Sequence, residues 1–438
     1  MKETPNPLPG KSGVLANDDT LIFLKNPFKY IQKGIAKHGN VYKSRLMLKD
    51  VVVMAGPEAG QKFNDESFVR RAGAFPPFIE KLFGGKSLPF QDGGTHRERK
   101  QLILEGFTMQ ALQAYLPDMQ EIVEANLKEW ASLGEFDMLP GLKDLAFEVV
   151  CANVLGMRRG GQLKQLQSDY DAVTAGLVSL PVQLPGLPYD KAIRARDHIF
   201  EKLRFLVELR WNAPTGDAVS RMLSARTPEG NQLSIDEAVL EVHHAMIAGY
   251  IVYGELAALM CDLSRERALR KRLKDEVDTL LTGAIRMEDL GRLSYLGQFV
   301  MEVKRLCPIV AAQFGKACKD FEVYGCKVPK GWMILWALHA SNRDPEIYTD
   351  PEQFDPGRFS PRRAEHLAHA FAYVPQGGGE PTGHRCAGID YSAQLMEVFT
   401  IALLRSYKWK LLNAEPELDW GLNPPQPVGG LKVTVSPA

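Results

Sequence analysis

The sequence predicts a mainly α protein with small β-sheets, built as one unit. Three observations carry that expectation. From Thr95 to Leu306 apolar residues recur at helical spacing and strand alternation is missing. Sheet-like runs are short and lie toward the two ends of the chain. No internal repeat, low-complexity segment or long linker divides the 438 residues. Ordinary domains hold about 100 to 200 residues, so one unit of this length implies something large at its centre.

Along the chain, Met1 to Asn17 is polar and broken by Pro5, Pro7, Pro9 and Gly10, which predicts a flexible start with neither a signal core nor a basic presequence. Between Val41 and Met54 short apolar runs alternate with Lys43, Lys49 and Asp50 and stop at Gly56-Pro57, a small sheet. The helical region breaks at Gly134, at Pro140-Gly141 and from Pro181 to Pro188. Ser234-Ile235-Asp236-Glu237 has the spacing of a capping box, in which the Ser oxygen takes a free amide and the Glu returns the bond. The helix it opens is apolar on every side from Ala245 to Tyr253, so it should be buried all round; run to Ser264, it would span roughly 45 Å. Leu296, Phe299, Val300, Val303 and Cys307 form one helical stripe, with Glu302 and Arg305 off it, and Pro308 ends that helix. Sheet signals return at Phe321–Trp336, Tyr407–Leu412 and Leu431–Ser436.

Lys+Arg and Asp+Glu both total 53, which removes the charge excess a general nucleic-acid or anionic-membrane binder needs. Apolar residues make up 45% and charged residues 24%, so disorder is excluded as the main state. Six scattered cysteines without a C-x-x-C pair make no disulfide framework, and no run of 18 apolar residues is present, so a soluble cytoplasmic protein without a membrane span is expected.

The densest chemical signal is Pro375-Gln376-Gly377-Gly378-Gly379, continued through Gly383-His384-Arg385-Cys386-Ala387-Gly388 into a helical pattern from Ile389. Glycines let a backbone fold close against something flat, and a cysteine at a helix start is favoured as thiolate. No Gly-Lys-Ser/Thr follows, so this is not a phosphate loop. Taken alone, the loop fits either a buried structural thiol or an axial metal ligand. Two distant pieces add to it: Glu302-x-x-Arg305, and Asp355-Pro356-Gly357-Arg358-Phe359 in an aperiodic Pro-rich stretch.

That ordered set resembles the cytochrome P450 family of haem-thiolate oxidoreductases, and Thr95 to Lys100 also resembles the family's helix that meets the haem propionates. The resemblance covers nearly the whole chain. It implies one P450-type haem-thiolate domain over residues 1–438, with haem b (iron protoporphyrin IX) as cofactor and Cys386 as the axial ligand of its iron. It also implies a buried structural triad of Glu302, Arg305 and Arg358, and propionate contacts from His96, Lys100, His384 and Lys316. The substrate pocket would draw on Phe75 to Phe78, Leu180 to Leu187, Tyr250 to Tyr253 and Ile309 to Gln313, with Phe78, Tyr250, Ile251, Val252, Val310 and Gln313 as its named members. These are mostly apolar, so an apolar small molecule of terpenoid, fatty-acid or natural-product type is the expected substrate.

The sequence departs from the family at two places. Gly379 and His384 stand where Phe and Arg are usual, and Pro375 lies about three residues further from the cysteine than in the common pattern. This loop is similar to that of fatty-acid peroxygenases, while Asp350 to Pro356 looks like bacterial relatives of retinoid hydroxylases. More consequentially, the acid and alcohol of the family's distal helix are here Ile251 and Val252. Neither can relay a proton. Glu255, one turn on, is the nearest carboxylate in sequence. Three routes stay open: protons supplied by the substrate with dioxygen, ferredoxin and reductase; hydrogen peroxide as oxidant; or a redox-neutral isomerase or lyase reaction. A haem protein that binds ligand without turnover is the rival outside enzymes. No Arg lies between Ser234 and Ser264 to hold a fatty-acid carboxylate as the peroxygenases do. Tyr250 and Tyr253 read as packing residues that offer a phenol at most, and His243 and His244 as satisfied core or surface groups.

Overall fold

The computed structural model describes residues 6–413 and 416–438. Helices take 54% of the chain. Strands Val41–Leu46 and Lys49–Met54 form a hairpin. Lys49–Met54 then runs parallel to Met333–Ala337, which pairs antiparallel with Ala312–Ala317, and Val69–Arg70 adds the edge. Every residue of Met333–Ala337 is buried, as a central strand covered on both faces requires. A second sheet joins Glu135–Asp137, Lys432–Pro437 and Tyr407–Leu411. Val69–Arg70 and Glu135–Asp137 are too short to show alternation, and Ala312–Ala317 is interrupted by Gly315, so none was expected from sequence.

The stretch expected to be flexible is paired from Asn6 onward: its N–H donates to Gly325 O at 2.9 Å, and Pro9 O accepts from Lys43 N at 2.7 Å. Unpaired sheet-edge groups provide those partners.

The capping box at Ser234 is made, with Glu237 N donating to Ser234 Oγ at 3.3 Å and Ser234 N to Glu237 Oε2 at 3.0 Å. The long helix is not continuous, however. Ile235–Tyr250 stops, Ile251 and Val252 form a turn, and Tyr253–Arg265 resumes. Across the break Val252 N bonds Gly249 O at 3.4 Å and Gly254 N bonds Ile251 O at 3.1 Å, three-residue rather than four-residue spacing. Two β-branched residues between two glycines hold a helix weakly, and Gly249 passes so close to Val150 that a Cβ there would lie 2.4 Å from its Cγ2. Nor is this helix buried all round: Ala245, Ala248, Gly249 and Ile251 are only half-buried because they face an internal cavity. By length and composition the interrupted run 235–265 could cross a membrane, but 78% of its apolar window is buried inside the protein, as in a core helix.

The main core gathers Leu256, Leu259, Met260, Leu296, Phe299, Leu395, Phe399 and Leu403. Phe299 is fully buried and meets Phe354 edge-on at 5.6 Å. Phe299→Ala should therefore cost about 3 to 5 kcal/mol, read as a lower urea midpoint of the holoprotein.

Candidate functional site

A cavity of about 450 Å³ lies between the interrupted helix and the Cys386 loop. Its floor is Gln376 with His384 to Gly388, its roof Ala245, Ala248, Gly249, Ile251 and Val252, and its side Val310 to Phe314. Cys386 sits two residues ahead of the Gly388 cap of helix Ile389–Ser406. Gly377 takes φ +85°, and a Cβ there would meet Gln313 Nε2 at 2.5 Å, so this turn needs a residue without a side chain.

Behind the floor, Glu302, Arg305 and Arg358 come together with no solvent exposure. Arg305 Nε donates to Glu302 Oε2 at 2.7 Å and Arg358 Nε to Glu302 Oε1 at 3.0 Å. Asp355 N adds 2.8 Å to the same carboxylate, while Arg358 Nη1 reaches Glu365 Oε2 at 2.7 Å. Two guanidinium groups thus face two carboxylates. The Glu302–Arg305 pair, which spacing alone leaves unremarkable, is buried and its hydrogen-bonding groups are saturated.

At one edge of the cavity His96 and His384 stack with ring centroids 4.0 Å apart. His96 Nδ1 is buried without a hydrogen-bond partner, while His384 Nε2 faces Asp92 Oδ1 at 3.6 Å and Glu66 Oε1 at 3.8 Å. Burial, with His384 and Lys100 nearby, pushes the His96 pKa down to about 3. Lys100 Nζ donates to Arg385 O at 2.5 Å, and burial lowers its pKa. Lys316 is not here. It pairs with Arg70 at the far end of its strand, and its side chain leaves for a separate surface cleft beside Lys49 and Trp332. The residue after Arg70 is the one that lines the cavity. Arg71 is buried on the cavity wall, donates to Phe63 O at 3.0 Å, lies over the Phe63 ring at 3.8 Å, and has its pKa lowered to about 9 by burial.

Phe78, Val310 and Gln313 line the cavity, with Gln313 Oε1 unpartnered. Ile251 and Val252 line it as well. Tyr250 does not: it lies on the opposite helix face, donates to Asp171 and meets Phe147 edge-on at 5.3 Å. Tyr253 likewise packs away, its hydroxyl accepting from Gln426 Nε2 at 2.9 Å. Leu180, Val182, Leu184 and Leu187 are exposed, and the wall is made by Thr174, Leu177 and Val178 just before them. Glu255 is fully buried against Lys304, whose Nζ donates at 2.9 and 3.1 Å to the carboxylate and at 2.7 Å to Ser392 Oγ. It offers no free acid to the cavity.

The sequence singles out neither Arg71 nor Glu241, and it reads His243 and His244 alike as satisfied core or surface groups. His243 is a satisfied core group, bonded to Leu82 O at 3.0 Å. His244 is not, since it lines the cavity, and the i, i+4, i+8 spacing of His244, Ala248 and Val252 was the available signal.

A thiol on the floor, a slot roofed by close-packed small residues, and an unpartnered buried nitrogen of His96 beside Arg71 and Lys100 fit a flat cofactor with two carboxylate arms and a metal at its centre. The cytochrome P450 family profile matches residues 20–428, and the chain belongs to that family, oxidising enzymes whose cofactor is haem b. It is similar to the protein named cytochrome P450 120 in Synechocystis sp., 30% identical over 97% of this chain and 96% of that one. Beta-amyrin 28-monooxygenase of Vitis vinifera is 27% identical over 99% and 92%. The structure of retinoic acid bound cyanobacterial CYP120A1 superposes with TM-score 0.90 at 29% identity, covering 99% of this chain and 100% of that one.

Two outcomes follow from this geometry. Glu302→Gln strands buried guanidinium charge and should destabilise the fold by about 3 to 5 kcal/mol in urea melts. Arg71→Ala should accelerate loss of haem to an excess of apomyoglobin, whereas Lys316→Ala should not change it.

Proposed function

We propose that this chain, acting as a single haem-thiolate domain over residues 1–438, oxidises an apolar, isoprenoid-sized small molecule in the cytoplasm without a proton relay in its distal helix. Cys386 is assigned as the axial ligand, with His96, Lys100, His384 and Arg71 on the propionates and the Glu302 cluster holding the floor from behind. Bound haem b supplies the oxygen and one-electron chemistry.

The single observation that carries the reading is the wall at Ile251 and Val252, which lines the cavity while the nearby Glu255 is consumed by Lys304. Neither wall residue exchanges a proton, so protons for activating the oxidant enter with substrate or oxidant. The wall excludes water from the roof, and Phe78, Val310 and the other apolar side chains orient the substrate by shape. The size and class of substrate are supported by the retinoic acid in the neighbouring structure and by the triterpene named in the beta-amyrin enzyme.

Hydrogen peroxide, which brings two protons and two electrons, suits this wall best. Dioxygen delivered with ferredoxin and reductase is the second reading, supported by the monooxygenase among the relatives.

The reduced protein should show the red-shifted carbon monoxide band of a thiolate ligand, and Cys386→Ala should lose it. Isoprenoid substrates should give product with peroxide alone; product only with dioxygen, ferredoxin and reductase would overturn the peroxide reading. Ile251→Glu combined with Val252→Thr should raise reductant-driven dioxygen consumption by an order of magnitude or more, the contribution of a positioned acid-base group.

A further inference from the structure

Most of the substrate half of the cavity is apolar, and two polar residues on the roof helix interrupt it. His244 and Glu241 lie three apart on one face, and both line the cavity. His244 is 31% exposed, and none of the described residues hydrogen-bonds its ring. Glu241 is fully buried and fixed: it accepts from Leu88 N at 2.9 Å and from Arg99 Nη1 at 3.2 Å. Its Oε2 stands 3.7 Å from His244 Nδ1.

We propose that His244, backed by Glu241, is a specificity-determining residue that accepts the hydroxyl of a long apolar alcohol, a statement that rests on the haem-thiolate reading above. The carboxylate on the Nδ1 side favours the tautomer with the proton on Nδ1, which leaves Nε2 as an acceptor. Position selects a long molecule. His244 and Val252 share a helix face about 12 Å apart at 1.5 Å per residue, so an oxygen held at His244 places the far carbons under Ile251 and Val252, over the Cys386 floor.

Hydrogen-bond capacity selects a hydroxyl. Glu241 is held by Arg99, which it shares with Glu237, and lies near Lys100 on the same wall, so charge behind the imidazole is balanced. An alcohol has a proton to donate to Nε2, whereas an ionised carboxylate or an ether has none. The surrounding Phe83, Leu88, Leu177 and Val178 give a hydroxyl few other partners, so leaving it unbonded is costly.

The holoenzyme tests this by substrate-induced absorbance titration with farnesol, farnesyl methyl ether and farnesoic acid, in the wild type, His244→Phe and His244→Gln. The wild type should bind farnesol about tenfold tighter than the ether, and the acid no tighter than the ether. His244→Phe should abolish the preference for the alcohol, and His244→Gln, which keeps an acceptor, should restore part of it. Equal binding of alcohol and ether by the wild type, a preference that survives His244→Phe, tighter binding of the acid, or no response to any of the three would overturn the proposal. The carbon monoxide band of each protein separates the two levels: without it in the wild type the haem-thiolate reading fails and takes this one with it, whereas with the band present only the His244 assignment is at stake.

Discussion

Glu302 is the point on which the cysteine end of the molecule is organised. Its carboxylate carries both guanidinium groups and the Asp355 amide, so one helix is locked to the aperiodic stretch that follows Pro351. The same Arg305 donates to Asn342 O at 2.8 Å, and Asn342 Oδ1 accepts from Val374 N at 2.8 Å, the residue before the Gly-rich turn begins. Tyr348 repeats the link, lying 4.8 Å from the Arg305 guanidinium and donating to Ala372 O at 3.0 Å. A loop of glycines has little rigidity of its own. Here it is hung from a charge cluster that costs several kcal/mol to disturb, and that gives Cys386 a fixed position.

The roof is governed by a different constraint, the close approach of two helices at Gly249 and Val150. Small residues on the cavity side leave room for a flat group, and β-branched residues at the break turn the helix without any side-chain hydroxyl to hold the turn open. A second buried ion pair, Glu255 with Lys304, then ties the far half of the roof to the helix bearing Glu302 and, through Ser392, to the helix after Cys386. Roof and floor are thereby braced against one another through charges that never reach the cavity.

Much of this was legible in the residues. Ser234 and Glu237 announced a helix start because capping is local chemistry, and Glu302, Arg305, Arg358 and Cys386 stood out because they belong to an ordered set. Ile251 and Val252 were read as cavity residues from the same resemblance. What failed did so for reasons of three-dimensional placement. Lys316 pairs with Arg70 on the neighbouring strand and Arg71 follows directly after that strand, so only the pairing register decides which cation faces inward. Tyr250 differs from Ile251 by one helical step, enough to send it to Asp171. For His244 the sequence offers only its shared helix face with Ala248 and Val252, because the rest of what it faces is set by Phe83, Leu88 and Thr174, from distant segments.

The parallel pairing of Val51 to Met54 with Met333 to Trp336 has a further consequence, for biogenesis. The two strands are separated by most of the chain, so at translation rates of about 5 to 20 residues per second the earlier one waits on the order of tens of seconds for its neighbour. During that interval Val51, Val52 and Val53, all completely covered in the finished protein, have an unsatisfied edge and nowhere to hide. Newly made chains should therefore lean on holding chaperones at their N-terminal hairpin, and poor recovery from overexpression would trace to this strand rather than to the cofactor site.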